Sequence, residues 1–317
     1  MTRWWVEPGE DPGEGAGALP GRGPGDEPGP VAWRPELPPA RRCSRRTFLT
    51  LTAGAVGLLG EGFIQPTRAA SRRHFGALDD PDLDSPRERL HRPRVELPIV
   101  ASDGAKVPVV IQMSHPMEPG HHITTIHVTN EQDPVPSKGV FHLSPGNGQV
   151  YLSFQCRMHV GSSETAVTAQ CTRDGEWSAT RSITVPEGAG GCAAPAPKRL
   201  APQEIGAPVL RVPELLKRRH IPQGVVVLVQ LLMRHPSRTG LALVDGRWVQ
   251  ESEPFYVQMI EVRYGEEPLS RFELTSALSD NPFIGFRVRA RHRGPLRAVV
   301  TNSRGQRFEA SQDLPLA

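Results

Sequence analysis

Aromatic residues are scarce, at 6% of 317 positions, and charge is nearly balanced, at a formal +3. Few aromatics with 33 Pro and 31 Gly disfavour long helices and favour many short elements joined by turns. A near-neutral chain has no field of its own to draw it to nucleic acid or to a membrane surface, so neither is expected as a partner. The four cysteines, Cys43, Cys156, Cys171 and Cys192, form no C-x-x-C pair, no C-x-x-C-H and no zinc spacing. That argues against covalent haem and structural zinc. No Ser-His-Asp order, Gly-rich phosphate loop or carboxylate pair stands out, and no cofactor is expected.

The first 43 residues carry Pro or Gly at 17 positions, too little apolar surface to form a core, so 1–43 reads as a disordered extension. Ser44-Arg45-Arg46-Thr47-Phe48-Leu49 follows, then a mildly apolar run to Gly60 and the small residues Ala69 and Ala70. The run is too short to span a bilayer of about 30 Å. Residues 44–70 therefore read as a twin-arginine signal peptide cleaved after Ala69 or Ala70, which places the mature chain in the periplasm, free of the membrane. Disulfides are allowed there.

Residues 90–186 contain runs rich in β-branched residues at 95–100, 107–113, 124–129, 139–143, 149–159, 165–171 and 178–185, separated by Gly, Pro, Asn and Asp turns. A polar segment over 79–91 reads as one short helix. Residues 207–317 repeat the pattern with runs at 208–213, 224–233, 253–264, 270–274, 283–290, 296–301 and 307–311. The halves echo each other: His115-Pro116 ends one strand and His235-Pro236 another, Phe154–Arg157 matches Phe286–Arg289, and Trp177 matches Phe308. The fold class is all-β, two tandem immunoglobulin-like sandwiches joined by a flexible Gly/Ala/Pro linker at 187–206.

Four residue groups are candidates for chemistry. Cys192 stands in 188–195, between Gly190-Gly191 and Ala193-Ala194-Pro195, with no ionisable neighbour between Gly188 and Pro197. Such a thiol reads as one presented on a mobile arm; an incidental Cys in a linker is the plainer alternative. Cys156 and Cys171 fall on consecutive strands. A turn over 161–164 would set them face to face, so a disulfide is expected, with two buried free thiols as the alternative. His115, His121, His122 and His127 cluster in sequence, but strand alternation is expected to scatter their rings over both faces, so no metal site is expected. Trp177 and Phe308 are expected in the core.

Several short motifs together resemble a known pair of families. The first half resembles SoxY in its twin-arginine signal, Val95-Glu96-Leu97-Pro98, Ile126-His127-Val128, Phe141-His142-Leu143, Trp177-Ser178-Ala179 and Gly190-Gly191-Cys192. The second resembles SoxZ in His235-Pro236, Gly265-Glu266-Glu267, Ser279-Asp280-Asn281-Pro282 and the hairpin from Gly305 to Phe308. The resemblance covers about 90–317. It implies two β-sandwiches and a carrier of thiosulfate oxidation without catalytic machinery of its own. Cys192 would hold a covalent sulfur intermediate and Gly190 and Gly191 would form its arm, presenting it to periplasmic sulfur-oxidation enzymes. Fused carriers of this kind also resemble proteins associated with quinoprotein, PQQ-dependent alcohol dehydrogenases, and an accessory docking role there is the alternative. In the family the arm ends the chain as Gly-Gly-Cys-Gly-Gly, whereas here Ala193 and a second domain follow.

Overall fold

The computed structural model describes residues 85–192 and 205–317, all within the compact unit Pro66–Ala317. The extension and signal peptide read at 1–70 lie outside the described residues. A short helix opens the described chain: α1 (Pro86–His91), capped by Ser85, whose side chain accepts from the Glu88 N–H while the Glu88 carboxylate accepts from the Ser85 N–H.

The first half then runs β1 (Arg94–Glu96), β2 (Val107–Met113), β3 (Ile123–Asn130), β4 (Ser137–His142), β5 (Val150–Cys156), β6 (Gly161–Cys171) and β7 (Gly175–Val185). The second runs β8 (Val209–Arg211), α2 (Pro213–Lys217), β9 (Val226–Leu232), β10 (Leu241–Val244), β11 (Arg247–Gln250), β12 (Val257–Tyr264), β13 (Glu267–Leu274), β14 (Phe283–Arg289), β15 (Gly294–Asn302) and β16 (Arg307–Leu314). The strand faces alternate as a half-buried sandwich requires: β5 buries Val150, Leu152, Phe154 and Cys156 and half-exposes the residues between. The β10–β11 hairpin is an addition the sequence reading missed. Asp245 and Gly246 both take positive φ at its turn, the mirror-image turn that Asp-Gly favours.

Each half contributes three strands to one sheet and four to the other. The sheets run through both halves, in the orders β1-β2-β5-β14-β9-β8 and β16-β15-β12-β13-β4-β3-β6-β7. Read from either end, each order meets equivalent strands. The halves are thus related by a pseudo-twofold axis, with β5 antiparallel to its counterpart β14 and β4 to its counterpart β13. Gly285 faces Ser153 at the first seam, where a Cβ would meet the Ser153 Oγ at 2.3 Å. Phe141 and Phe272 pair across the second. With Phe154 and Phe286 they form a chain of rings at centroid spacings of 5.0, 5.5 and 5.4 Å, all four at most 2% exposed. The core is therefore continuous across the axis.

Polar groups fix the same junction. Asn147 donates to Ser270 Oγ and to the Arg287 carbonyl, both at 2.9 Å. Ser279 donates to the Ala105 carbonyl at 2.7 Å. Trp177 and Phe308, expected in the core, are half-buried, because each sits beyond the hairpin at the sheet edge.

Candidate functional site

Cys192 lies against the junction of the halves and is 1% exposed. The preceding residues are laid down by backbone hydrogen bonds: the Gly104 N–H donates to the Ala189 carbonyl at 2.6 Å and the Gly191 N–H to the Met158 carbonyl at 3.0 Å. Arg157 Nη1 donates to the Gly191 carbonyl at 2.9 Å, and Thr239 Oγ1, from the second half, donates to the Cys192 carbonyl at 3.0 Å. Glycine is required at 191 for this approach, since a Cβ would meet Gly104 O at 2.2 Å and Ala105 N at 2.3 Å. The expected freely presented thiol is thus corrected in one respect: the arm as far as Cys192 is docked, because bare glycines pack as readily as they bend. Residues 193–204 of the linker lie outside the described residues.

The docking platform is charged and dry. Arg157, 2% exposed, also donates to the Ser237 carbonyl at 2.8 Å and pairs with Asp280 at 3.0 Å, so one guanidinium joins both halves and the arm. Beside it the fully buried Lys138 pairs with Asp133 and donates to the carbonyls of Val135 at 3.1 Å and Arg157 at 3.0 Å. Burial pushes the Cys192 thiol up to about 12; Asp133 adds to the shift, and Lys138 and Arg157 oppose it. Docked Cys192 is therefore a neutral thiol and a poor nucleophile. Arg157, Lys138, Asp133 and Thr239 escaped the sequence reading. Only Arg157 carried a signal, as part of the repeated Phe154–Arg157 segment.

Cys156 and Cys171 do not form the expected bridge; both are free and buried. The turn expected at 161–164 is the start of β6, and the chain crosses from one sheet to the other between Cys156 and Gly161. Cys156 pairs with Val107 in one sheet and Cys171 with Ile123 in the other. Burial pushes Cys156 up to about 12.

Cys171 instead faces His115, with Sγ 3.4 Å from Nε2. The expectation that the histidines scatter fails here: donor atoms of His91, His115, His121 and Cys171 all lie within 4.8 Å of one another. His115 and His121 sit in the loop between β2 and β3, where strand alternation does not apply, and α1 brings His91 in from outside the cluster seen in the sequence. His122 and His127 are elsewhere, His127 against Ser137 at 3.1 Å. Burial pushes His115 down to about 4, against the opposing pull of its bond to the Pro116 carbonyl, so its ring is neutral.

Comparison with family models assigns each half a family. Residues 85–192 match the family of sulfur oxidation protein SoxY, and residues 217–313 match sulphur oxidation protein SoxZ. The chain is a SoxY–SoxZ fusion. The SoxY match of the fusion ends at Cys192 itself. No curated protein matches the fusion. Among solved structures it is similar to the superoxide reductase (neelaredoxin) of Ignicoccus hospitalis, at 24% identity over 30% of this chain and 80% of that one, TM-score 0.26. A superoxide reductase from Nanoarchaeum equitans matches at 18% identity over 30% and 94%, TM-score 0.25. Murine CEACAM1b matches at 12% over 71% and 100%, TM-score 0.20.

Proposed function

We propose that the fusion is a periplasmic carrier that holds a sulfur-compound intermediate on Cys192 and presents it to sulfur-oxidation enzymes. The observation that supports this most is the way the arm is held. Ala189, Gly191 and Cys192 are secured through their backbone, at hydrogen bonds worth about 0.5–1.5 kcal/mol each, so the arm can leave its bed without unfolding a strand. Once released into water the thiol regains an ordinary value near 8.5 and a thiolate fraction. That thiolate displaces a leaving group from a sulfur atom presented by a partner. The new S–S bond forms as the partner's bond breaks, the leaving group takes the electron pair and the thiol proton goes to solvent. Docking again buries the adduct against water. Chemistry on the adduct belongs to the partners, since no general base stands beside Cys192 in the arm.

The burial of Cys192 also favours a second reading, an accessory protein of a periplasmic quinoprotein alcohol dehydrogenase whose sandwiches serve as docking surfaces. Intact mass of the mature protein from its native periplasm, with and without reductant, separates the two. A reducible adduct on the Cys192 peptide, lost in Cys192→Ser, is expected. An unmodified thiol after growth on sulfur compounds and on alcohols would move the assignment to the docking protein.

A further inference from the structure

The cluster beneath α1 has a counterpart in the other half that shows what is particular to it. His115-Pro116 and His235-Pro236 are equivalent, and each histidine bonds the carbonyl of its own proline, at 2.6 Å and 2.5 Å. A carbonyl only accepts, so Nδ1 carries the proton in both and Nε2 is left as a bare lone pair. In the second half that lone pair is satisfied within the protein by Asn302 Nδ2, at 3.2 Å. Phe255 packs on the ring at 4.8 Å, and Arg304 covers Phe255 at 4.0 Å.

The strand registers fix which first-half residues take those places. Ile123 pairs with Cys171, and Val257 pairs with Asn302. Counting back two residues from Ile123 and Val257 sets His121 against Phe255. Asp174, one residue before the hairpin Gly175, corresponds to Arg304, one before Gly305. An amide, a phenyl ring and a cation in one half are thus a thiol, an imidazole and a carboxylate in the other. Each exchange turns an electron-pair donor toward the histidine's side of the hairpin where the other half sets an N–H, a ring or a cation, and α1 supplies one more in His91.

His91 joins the cluster through a nitrogen that makes no hydrogen bond. It is 2% exposed, and its Nδ1 donates to the Arg87 carbonyl at 2.8 Å, which turns Nε2 toward the cluster. Asp174 Oδ2 stands 3.0 Å from that buried nitrogen. A ring nitrogen and a carboxylate oxygen that close to this distance without a hydrogen bond between them are two donors that a shared cation would serve. His121 Nε2 lies 3.1 Å from the same oxygen. Donors bound to one first-row ion, with bonds of about 2.0–2.3 Å, stand roughly 3.0–3.6 Å apart. Cys171 and His115, at 3.4 Å, fall in that range, as do His91 and His121 to Asp174 at 3.0 and 3.1 Å; the four donor atoms together lie within 4.8 Å, close enough for one ion to draw them in.

We propose that His91, His115, His121 and Cys171 bind one divalent first-row transition ion of the zinc or iron(II) class, with Asp174 at the edge of its coordination sphere. Three imidazoles and a thiolate are borderline-to-soft donors and select against magnesium and calcium. The backbone carbonyls that fix the His91 and His115 tautomers are the usual outer partners of metal-binding histidines. The Arg173 N–H points at the sulfur from 3.5 Å, and Trp177 stacks on His91 at 4.9 Å, closing the site from one side. Binding releases the Cys171 thiol proton to solvent.

The test uses the full chain, stripped with a chelator and titrated with cobalt(II) under reducing, anaerobic conditions, followed by zinc competition. One equivalent is expected, with a sulfur-to-cobalt charge-transfer band that zinc abolishes. Cys171→Ser should remove that band, while Cys192→Ser and His235→Gln leave it in place. His121→Gln, at a partly exposed position that tolerates substitution, should weaken binding by at least about 10–100-fold with an unchanged circular dichroism spectrum. The proposal is overturned if no stoichiometric cobalt binds, or if the band survives Cys171→Ser or follows Cys192.

Discussion

The Thr239 hydroxyl, in the SoxZ half, holds the Cys192 carbonyl, at the end of the SoxY half, at 3.0 Å. The thiol arm is therefore read by both halves at once, and its release is an event at their junction.

Removing the space for the arm should expose the thiol. In Gly191→Ala the new Cβ meets the backbone at Gly104 and Ala105, and backbone cannot yield as a side-chain tip does. Alkylation of Cys192 by iodoacetamide at pH 7.5 should accelerate by about 10–100-fold, the inverse of a docking energy of about 1.4–2.8 kcal/mol. Its rate should level off above about pH 8.5–9, as for a free thiol, whereas the parent rate keeps climbing through pH 10. Equal rates in the two proteins would show that the arm is not held as described.

Alkali should weaken the fold through two buried thiols. Cys156 and Cys192 both rise from an ordinary 9.0 to about 12 in the folded chain, chiefly by burial. The folded state thus keeps its protons longer than the unfolded state. This contribution is fully present below about pH 9 and is lost at up to about 1.4 kcal/mol per pH unit for each thiol, through about 12 for Cys156 and, for Cys192, until the docking energy of about 1.4–2.8 kcal/mol is used and the arm lets go. Urea midpoints from pH 8 to 11 should fall, and Cys192→Ser should flatten the slope by about half.

The four-phenylalanine chain predicts one cooperative unit. Phe272→Ala deletes a fully buried ring from the SoxZ half that touches Phe141 of the SoxY half, a loss of about 3–5 kcal/mol. Calorimetry should show a single transition that shifts down as a whole. Two transitions, of which only one moves, would mean that the halves melt independently.

The Lys138–Asp133 pair sits where charge is tolerated only in company, at 0% and 1% side-chain exposure. Lys138→Met should cost about 3–5 kcal/mol by stranding the carboxylate. Adding Asp133→Asn should recover much of that in chemical denaturation, since the amide still accepts the His159 N–H that Asp133 now accepts at 2.7 Å.

Strand alternation carried most of the fold. The run at 107–113 is β2 to the residue, and β-branched runs between turns located the other strands, apart from β10 and β11, to within a few positions. The seams were invisible because a strand's own sequence says nothing about which edge it pairs: Gly139 and Gly285 lie where the halves meet, and nothing in the runs around them marks that. The Cys156–Cys171 bridge failed for a related reason, since a hairpin and a crossing between sheets differ only in the path from Arg157 to Val160. In the metal cluster, His115 and His121 were in view from the start. His91 and Cys171 were not connected to them, because the contacts span 24 and 56 residues along the chain and depend on α1 folding back over the β2–β3 loop.

Pairing each half with its own counterpart strand has a consequence for dilution. β5 against β14 and β4 against β13 is the geometry of a two-subunit complex, and such a complex falls apart when its concentration drops below its dissociation constant. Here both partners are one molecule. Each half meets the other at an effective concentration in the millimolar range or above, however few copies the cell holds. The ratio of the halves is fixed at one to one, and the bed that shelters Cys192 cannot diffuse away from it.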